Sequence, residues 1–124
     1  MATPIDQSVP EGPLVAVAAG GLPLDRLAQL AESMQTGEWR ARSDAAQALA
    51  CYLACHPRVA EVRYPGLTSD AAYQEASSTL RCGFGPWVDV RLVDAEKDAW
   101  LRVDVTNGDA PAWVMRLESL LAER

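Results

Sequence analysis

The chain has 124 residues and a formal net charge of −6, with 49% hydrophobic and 23% charged residues. This composition is typical of a globular protein, and the length fits one domain with a single core. Ten arginines and one lysine are scattered along the sequence, which excludes the basic stripe that binds nucleic acid. The longest apolar run, Leu14 to Leu22, is far shorter than the roughly 20 residues of a membrane-spanning helix, so we expect no membrane partner.

The beginning of the chain predicts a flexible lead-in over residues 1–13, followed by a single domain over residues 14–124. The lead-in is rich in proline, glycine and acidic residues and lacks periodicity.

The lead-in contains no lysine or arginine, whereas a secretory signal has a basic N-terminal region. The three cysteines are an odd number and do not form a disulfide framework. We therefore expect a cytoplasmic protein.

The first half of the domain predicts a short strand and two helices. The strand is predicted from Leu14 to Ala18, and Pro23 opens a helix whose apolar residues recur at three-to-four spacing as far as Met34. A second helix is predicted from Glu38 to Ala54, because Pro57 cannot follow a helical residue without a clash. The residues predicted on its buried face are Trp39, Ala46, Leu49, Ala50 and Leu53.

The second half predicts three strands and two helices. A strand from Val59 to Tyr64 alternates, with Val59, Glu61 and Arg63 on one side, and Ser69 caps a third helix that ends at Leu80. The remaining predicted elements are a hairpin of strands Trp87 to Val93 and Trp100 to Thr106, and a last helix that starts at Asp109.

This order of elements predicts an α+β domain. Each helix has one apolar stripe to bury, and a small, mainly antiparallel sheet receives these stripes most economically when all helices lie on one of its faces. The expected architecture is a two-layer sandwich.

The run from His56 to Leu67 reads His-Pro-Arg-Val-Ala-Glu-Val-Arg-Tyr-Pro-Gly-Leu. It resembles the C-terminal domain of the Cys/Met-metabolism enzymes that depend on pyridoxal phosphate, such as cystathionine γ-synthase, cystathionine lyases and methionine γ-lyase. The stretches Met34 to Thr36 and Ala45 to Ala54 are similar to that family's long helix, and Gly83 to Gly85 and Val88 to Val90 to its glycine turn and next strand. The resemblance implies the C-terminal fold of fold-type I pyridoxal-phosphate enzymes.

The resemblance also implies that the cofactor belongs to a preceding domain, where a lysine holds it as a Schiff base. The only lysine of this chain is Lys97, which lies between Glu96 and Asp98. Both neighbours stabilise its charged form, whereas a Schiff-base lysine needs a desolvated, neutral amine. We therefore expect no cofactor, catalytic residue or metal in this chain, and pyridoxal phosphate only if a partner chain supplies it.

Arg102 is the candidate for substrate recognition. The resemblance places the family's carboxylate-binding arginine in a pattern of the type Arg-Leu-Ser-Val-Gly, and residues 102–106 read Arg-Val-Asp-Val-Thr. Asp104 lies two residues on, shares a strand face with Arg102 and is expected to compete with an incoming carboxylate. A surface arginine with an acidic partner is the alternative interpretation.

Other reactive residues have structural interpretations. Cys51 and Cys55 are four apart on a helix and are expected to pack in the core as small hydrophobic residues, and no zinc-binding spacing includes Cys82. His56, at the end of that helix, is expected to cap its last carbonyls. Gly20 and Gly21 before the first helix are expected to be ordinary helix-entry residues rather than an anion site.

The predicted hairpin leaves polar and aromatic residues on the face away from the core. Asp89 is expected to oppose Arg102 across the two strands. Tryptophan and arginine are enriched where proteins bind each other, and exposed aromatic surface indicates a partner or a covering segment such as residues 1–22. The residues of this predicted interaction face are Trp87, Asp89, Arg91, Trp100, Arg102 and Asp104.

The sequence therefore supports a stand-alone, non-catalytic module that acts by self-association or by binding a partner. The expected partner is a second copy or a protein that carries a pyridoxal-phosphate domain. Two alternatives remain open. One is a split or regulatory subunit that completes a transsulfuration (carbon–sulfur lyase) enzyme in trans, and the other is a small amino-acid sensor.

Overall fold

The computed structural model describes residues 14–17, 23–95 and 99–122, which form an α+β fold. The predicted lead-in over residues 1–13, the glycines before the first helix and Lys97 lie outside the described residues. In chain order the elements are β1 (Leu14–Val17), α1 (Leu24–Ser33), α2 (Thr36–Ala54), β2 (Val59–Arg63), α3 (Tyr73–Thr79), β3 (Trp87–Leu92), β4 (Trp100–Asp104) and α4 (Ala110–Ala122).

The four strands form one antiparallel sheet in the order β1-β4-β3-β2. Helix α2 packs against β2 and β3, and α4 packs against α2. The predicted two-layer architecture, with helices on one sheet face, is confirmed. No helix in the described ranges is both long enough and apolar enough to cross a membrane.

The core lies between α2 and the inward-facing residues of β3 and β4. All five residues predicted on the buried face of α2 are buried, and Leu49 and Ala50 are fully enclosed. They meet Val88, Val90 and Val103, which alternate along the hairpin as a half-buried sheet requires. Each such aliphatic side chain contributes about 1.5–3 kcal/mol through burial, and the alanines of α2 let the helix approach the sheet closely.

Several details differ from the sequence-based expectations. Strands β2, β3 and β4 end one or two residues before the predicted ends at Tyr64, Val93 and Thr106. Helix α2 begins at Thr36 rather than Glu38. A register shift between Val59 and Glu61 pairs Val59 with Leu92 and therefore turns its side chain to the core, away from the side of Glu61. Helix α3 starts at Tyr73 without a side-chain cap, so the prediction that Ser69 caps it is wrong.

The turn before β3 is fixed by two side chains that belong to other elements. Ser43 of α2 is buried, and its Oγ accepts the backbone N–H of Gly85 at 3.0 Å. The hydroxyl of Tyr64 lies 2.8 Å from the Gly85 carbonyl oxygen and 3.2 Å from that of Ser43, and burial raises the pKa of this tyrosine. These bonds hold the Gly83–Pro86 turn against α2 and thereby set where β3 begins.

Candidate functional site

The face of the sheet opposite the helices, called the outer face below, carries the candidate site. Strand pairing places all six residues of the predicted interaction face on it. Its members are Val15 and Val17 of β1, Glu61 and Arg63 of β2, Trp87, Asp89 and Arg91 of β3, and Trp100, Arg102 and Asp104 of β4.

Asp89 and Arg102 form the central pair of the outer face. They are direct cross-strand partners, and Arg102 donates from Nε to Asp89 Oδ1 at 2.8 Å and from a terminal nitrogen to Oδ2 at 3.0 Å. The side chain of Asp89 is fully buried, and that of Arg102 is 21% exposed. The Arg102 guanidinium also lies 5.1 Å from the centre of the Trp87 ring, within range of a cation–π contact.

This geometry changes the interpretation of Arg102. The expected opposition of Asp89 and Arg102 is present, and the bidentate partner of the arginine is Asp89 rather than Asp104. Because a bidentate carboxylate occupies the donors that would receive an incoming carboxylate, Arg102 is engaged within the domain. Its proposed role in substrate binding remains a prediction from the resemblance.

A second cluster lies beside the central pair. Arg91 donates to Glu61 at 3.3 Å, and its guanidinium lies 6.0 Å from the centre of the Trp100 ring. The Glu61 side chain is half exposed, so this ion pair is more solvated than the central pair. Each tryptophan of the outer face is thus accompanied by an arginine that has an acidic partner.

Asp70 extends this charge network and was not singled out in the sequence. Its carboxylate accepts two bonds from Arg63, at 3.0 and 3.2 Å, and the backbone N–H groups of Tyr64 and Ala72 at 2.9 and 2.8 Å. Burial favours the neutral acid, but these hydrogen bonds and the Arg63 charge outweigh it and lower the pKa of Asp70. The hydrogen bond from the backbone N–H of Ala72 to Asp70, two residues earlier, forms a turn that is typical of aspartate. This preference of aspartate for turns is the sequence signal by which Asp70 could have been identified.

Asp104 has the opposite electrostatic character. Burial raises the pKa of its carboxyl, and the charge of Arg42, a hydrogen bond from Trp87 and the charge of Arg102 offset that effect only in part. Asp104 is therefore a carboxylate whose charged form is poorly solvated at the end of the outer face.

The described residues include no lysine, since Lys97 lies outside them, and the arginine that the resemblance assigns to substrate binding is held by Asp89. The expectation that this chain binds no pyridoxal phosphate of its own stays a prediction. The described part of the chain also contains no group of three or more histidine, cysteine or acidic residues that could bind a metal ion.

Two expectations for the cysteines and His56 are wrong. Cys51 and Cys55 are exposed rather than packed in the core, because the buried stripe of α2 runs along its alanines and leucines instead. Cys82, which lies in the turn before β3, is exposed as well. The His56 side chain caps no carbonyl. Its Nδ1 accepts the backbone N–H of Arg58 at 3.0 Å, and its Nε2 lies 3.4 Å from Glu118.

No protein-family model and no curated protein matches the sequence significantly. The fold matches solved structures of cystathionine γ-synthase from Xanthomonas oryzae pv. oryzae, one in complex with cystathionine and one with aminoacrylate and cysteine. Each has a TM-score of 0.61, 20% identity and coverage of 69% of this chain and 34% of the enzyme chain. A putative O-acetylhomoserine (thiol)-lyase from Campylobacter jejuni matches with a TM-score of 0.60, 14% identity and coverage of 68% and 29%.

These likenesses establish the fold. The chain spans about a third of the length of the enzymes that it matches. The resemblance of the His56–Leu67 run predicted the fold of the C-terminal domain of pyridoxal-phosphate enzymes, and the matches confirm that fold.

Proposed function

We propose that this domain is a non-catalytic interaction module that associates with a second copy of itself through the outer face. The observation that supports the proposal is the pairing of two partly buried tryptophans, Trp87 and Trp100, with arginines on a sheet face opposite the described helices. Tryptophan and arginine are the residues that most often dominate binding energy in interfaces.

The charges of the outer face favour a second copy as the partner. The chain has a net charge of −6, so two copies repel each other at most surfaces. On the outer face, however, positive and negative side chains alternate across neighbouring strands, as in the pairs of Arg102 with Asp89 and Arg91 with Glu61. The charges of this face are therefore balanced, and two copies that meet there about a two-fold axis repel each other less than at other surfaces.

The test is the mass of the protein in solution, measured by sedimentation velocity over a range of concentrations. The variant Trp100→Thr removes aromatic surface and keeps a residue that favours strands, so we expect its association to weaken about tenfold or more. Met115→Thr is the matched control, because Met115 is 74% exposed on α4, in the helix layer. Equal association of wild type and Trp100→Thr would refute the proposal.

A second candidate function follows from the fold that the domain shares with part of the solved enzymes. With this fold it would act as a split or regulatory subunit that completes a pyridoxal-phosphate enzyme in trans. Affinity purification from the native host tests this function. A Schiff-base absorbance in the purified complex, retained only when the second chain is present, would support it over self-association.

We further propose that the domain works in a reducing compartment such as the cytoplasm. Cys51, Cys55 and Cys82 are exposed free thiols, and exposed thiols persist where cellular reductants keep disulfides from forming. Thiol titration of the protein, freshly isolated from its host under alkylating conditions, should find three free thiols per chain. Trapped disulfides would contradict this placement.

A further inference from the structure

The two edges of the sheet differ in how well they are protected against pairing with another strand. At one edge, β2 contains a register shift between Val59 and Glu61 and lies between Pro57 and Pro65. It also carries the charged residues Glu61 and Arg63. Bulges, prolines and charges are the features that prevent edge strands from adding a neighbour.

The other edge, β1, has none of these features. Its sequence is Leu-Val-Ala-Val, without charge or proline, and its register with β4 runs without a shift from Leu14 opposite Val103 to Val17 opposite Trp100. Within the described residues β1 pairs with β4 alone. Its far side therefore presents the backbone N–H and C=O groups of an edge strand.

We propose that β1 pairs antiparallel with β1 of a second copy and joins two sheets into one of eight strands. Strands that are identical and uncharged fit each other in length and polarity about a two-fold axis. The place also suits a chain with a net charge of −6, because the contact is made by the backbone of an uncharged segment.

The inference rests on the proposed function, because a contact between strands of four residues is weak by itself. Association through the outer face brings copies together and raises the effective concentration of their β1 strands. The edge contact and the outer-face contact each relate two copies by a two-fold axis. With the two axes perpendicular, as when two joined sheets stack face to face, the contacts close an assembly of four. Val15, which is 52% exposed on the outer face, then continues the apolar surface across the joined edge.

The variant Ala16→Lys tests the edge contact. Ala16 is exposed and pairs with Leu101 on the sheet face opposite the outer face, so a lysine there places a charge on the edge and leaves the outer face unchanged. Lysine on an edge strand blocks addition of another strand. Ala16→Thr is the matched control, since threonine favours strands and carries no charge.

We expect wild type and Ala16→Thr to sediment as four copies and Ala16→Lys as two. The same mass for all three proteins would overturn the edge contact. If Trp100→Thr leaves the assembly at four copies, the outer-face contact is wrong, whereas the comparison of the two Ala16 variants still decides the edge.

Hydrogen exchange provides a second measurement that needs no variant. Amides of Leu14–Val17 that point away from β4 have no strand partner among the described residues, and pairing with another copy gives them one. Their exchange in the wild type should slow at least several-fold as the protein concentration is raised from below to above that of assembly. Concentration-independent exchange in this segment would contradict the proposal even if Ala16→Lys failed to fold.

Discussion

Asp89 and Glu61 are both carboxylates of the outer face with an arginine partner, but their solvation differs. The Asp89 side chain is fully buried and that of Glu61 is 50% exposed. Asp89→Asn leaves the Arg102 charge poorly compensated, so we expect it to lower the free energy of unfolding by about 3 kcal/mol. Glu61→Gln should change it by less than about 1 kcal/mol. Urea unfolding measures both, and equal effects would show that burial does not distinguish the two pairs.

Asp70 and Asp104 should respond to pH with opposite signs. The pKa of Asp70 is lowered in the folded protein, so its stabilisation is present above the unfolded value of about 4 and is lost as the pH falls through the folded pKa. Near pH 7, Asp70→Asn should therefore be less stable than wild type by about 2 kcal/mol, and the difference should vanish in acid.

The pKa of Asp104 is raised by burial, so its charged form destabilises the fold above that pKa. Asp104→Asn should be more stable than wild type near neutral pH, and this gain should shrink as the pH falls and the wild-type carboxyl becomes protonated. Urea unfolding at a series of pH values checks both variants. A gain for Asp70→Asn or a loss for Asp104→Asn near neutral pH would contradict the assignment.

Among the elements, the turn that precedes β3 leaves no room for an added side chain at its first glycine. Gly83 has a φ of 139°, and a Cβ added there would lie 2.3 Å from Ser43 Cβ. Gly83→Ala should lower the free energy of unfolding by about 2 kcal/mol or more, because both the backbone conformation and the contact with α2 are strained. Gly37→Ala is the control. An added Cβ meets nothing within 4 Å, so alanine in α2 should stabilise the protein by about 0.5–1 kcal/mol. Thermal unfolding of both variants is the measurement, and an unaffected Gly83→Ala would disprove the restriction.

The sequence predicted the elements best where a periodic apolar pattern coincided with a strong boundary. Helix α2 keeps its predicted end at Ala54 because Pro57 follows closely, and the alternation of β3 and β4 placed Asp89 opposite Arg102. The misplaced features depend on contacts between distant residues. The shift at Val59 is set by pairing with β3, and the exposure of the cysteines depends on which stripe of α2 meets the sheet.

The face that we propose for self-association was predictable in composition but not in its energetics. Two tryptophans on the polar side of a hairpin identify it in the sequence. The sequence does not show that Asp89 is buried or that Asp70, which lies in a loop, forms an ion pair with Arg63. Both features depend on how distant residues come together in the fold. The candidate face therefore holds most of its charges in internal pairs, and what it offers a second copy is aromatic surface bordered by alternating charges.

For the molecule as a whole, self-association must overcome the repulsion between two chains that each carry a charge of −6. This repulsion acts over a distance of about 30 Å at 10 mM salt and about 8 Å at 150 mM. The buried pair of Asp89 and Arg102 on the outer face, by contrast, is screened little. We therefore expect salt to strengthen association, with a dissociation constant at about 150 mM salt several-fold lower than at about 10 mM.

Sedimentation equilibrium at the two salt concentrations measures this effect. Trp100→Thr should remain in its smaller form at both, because screening alone cannot replace the lost aromatic contact. Weaker association at the higher salt concentration would mean that attraction between oppositely charged patches, rather than aromatic contact on a charge-balanced face, holds the copies together.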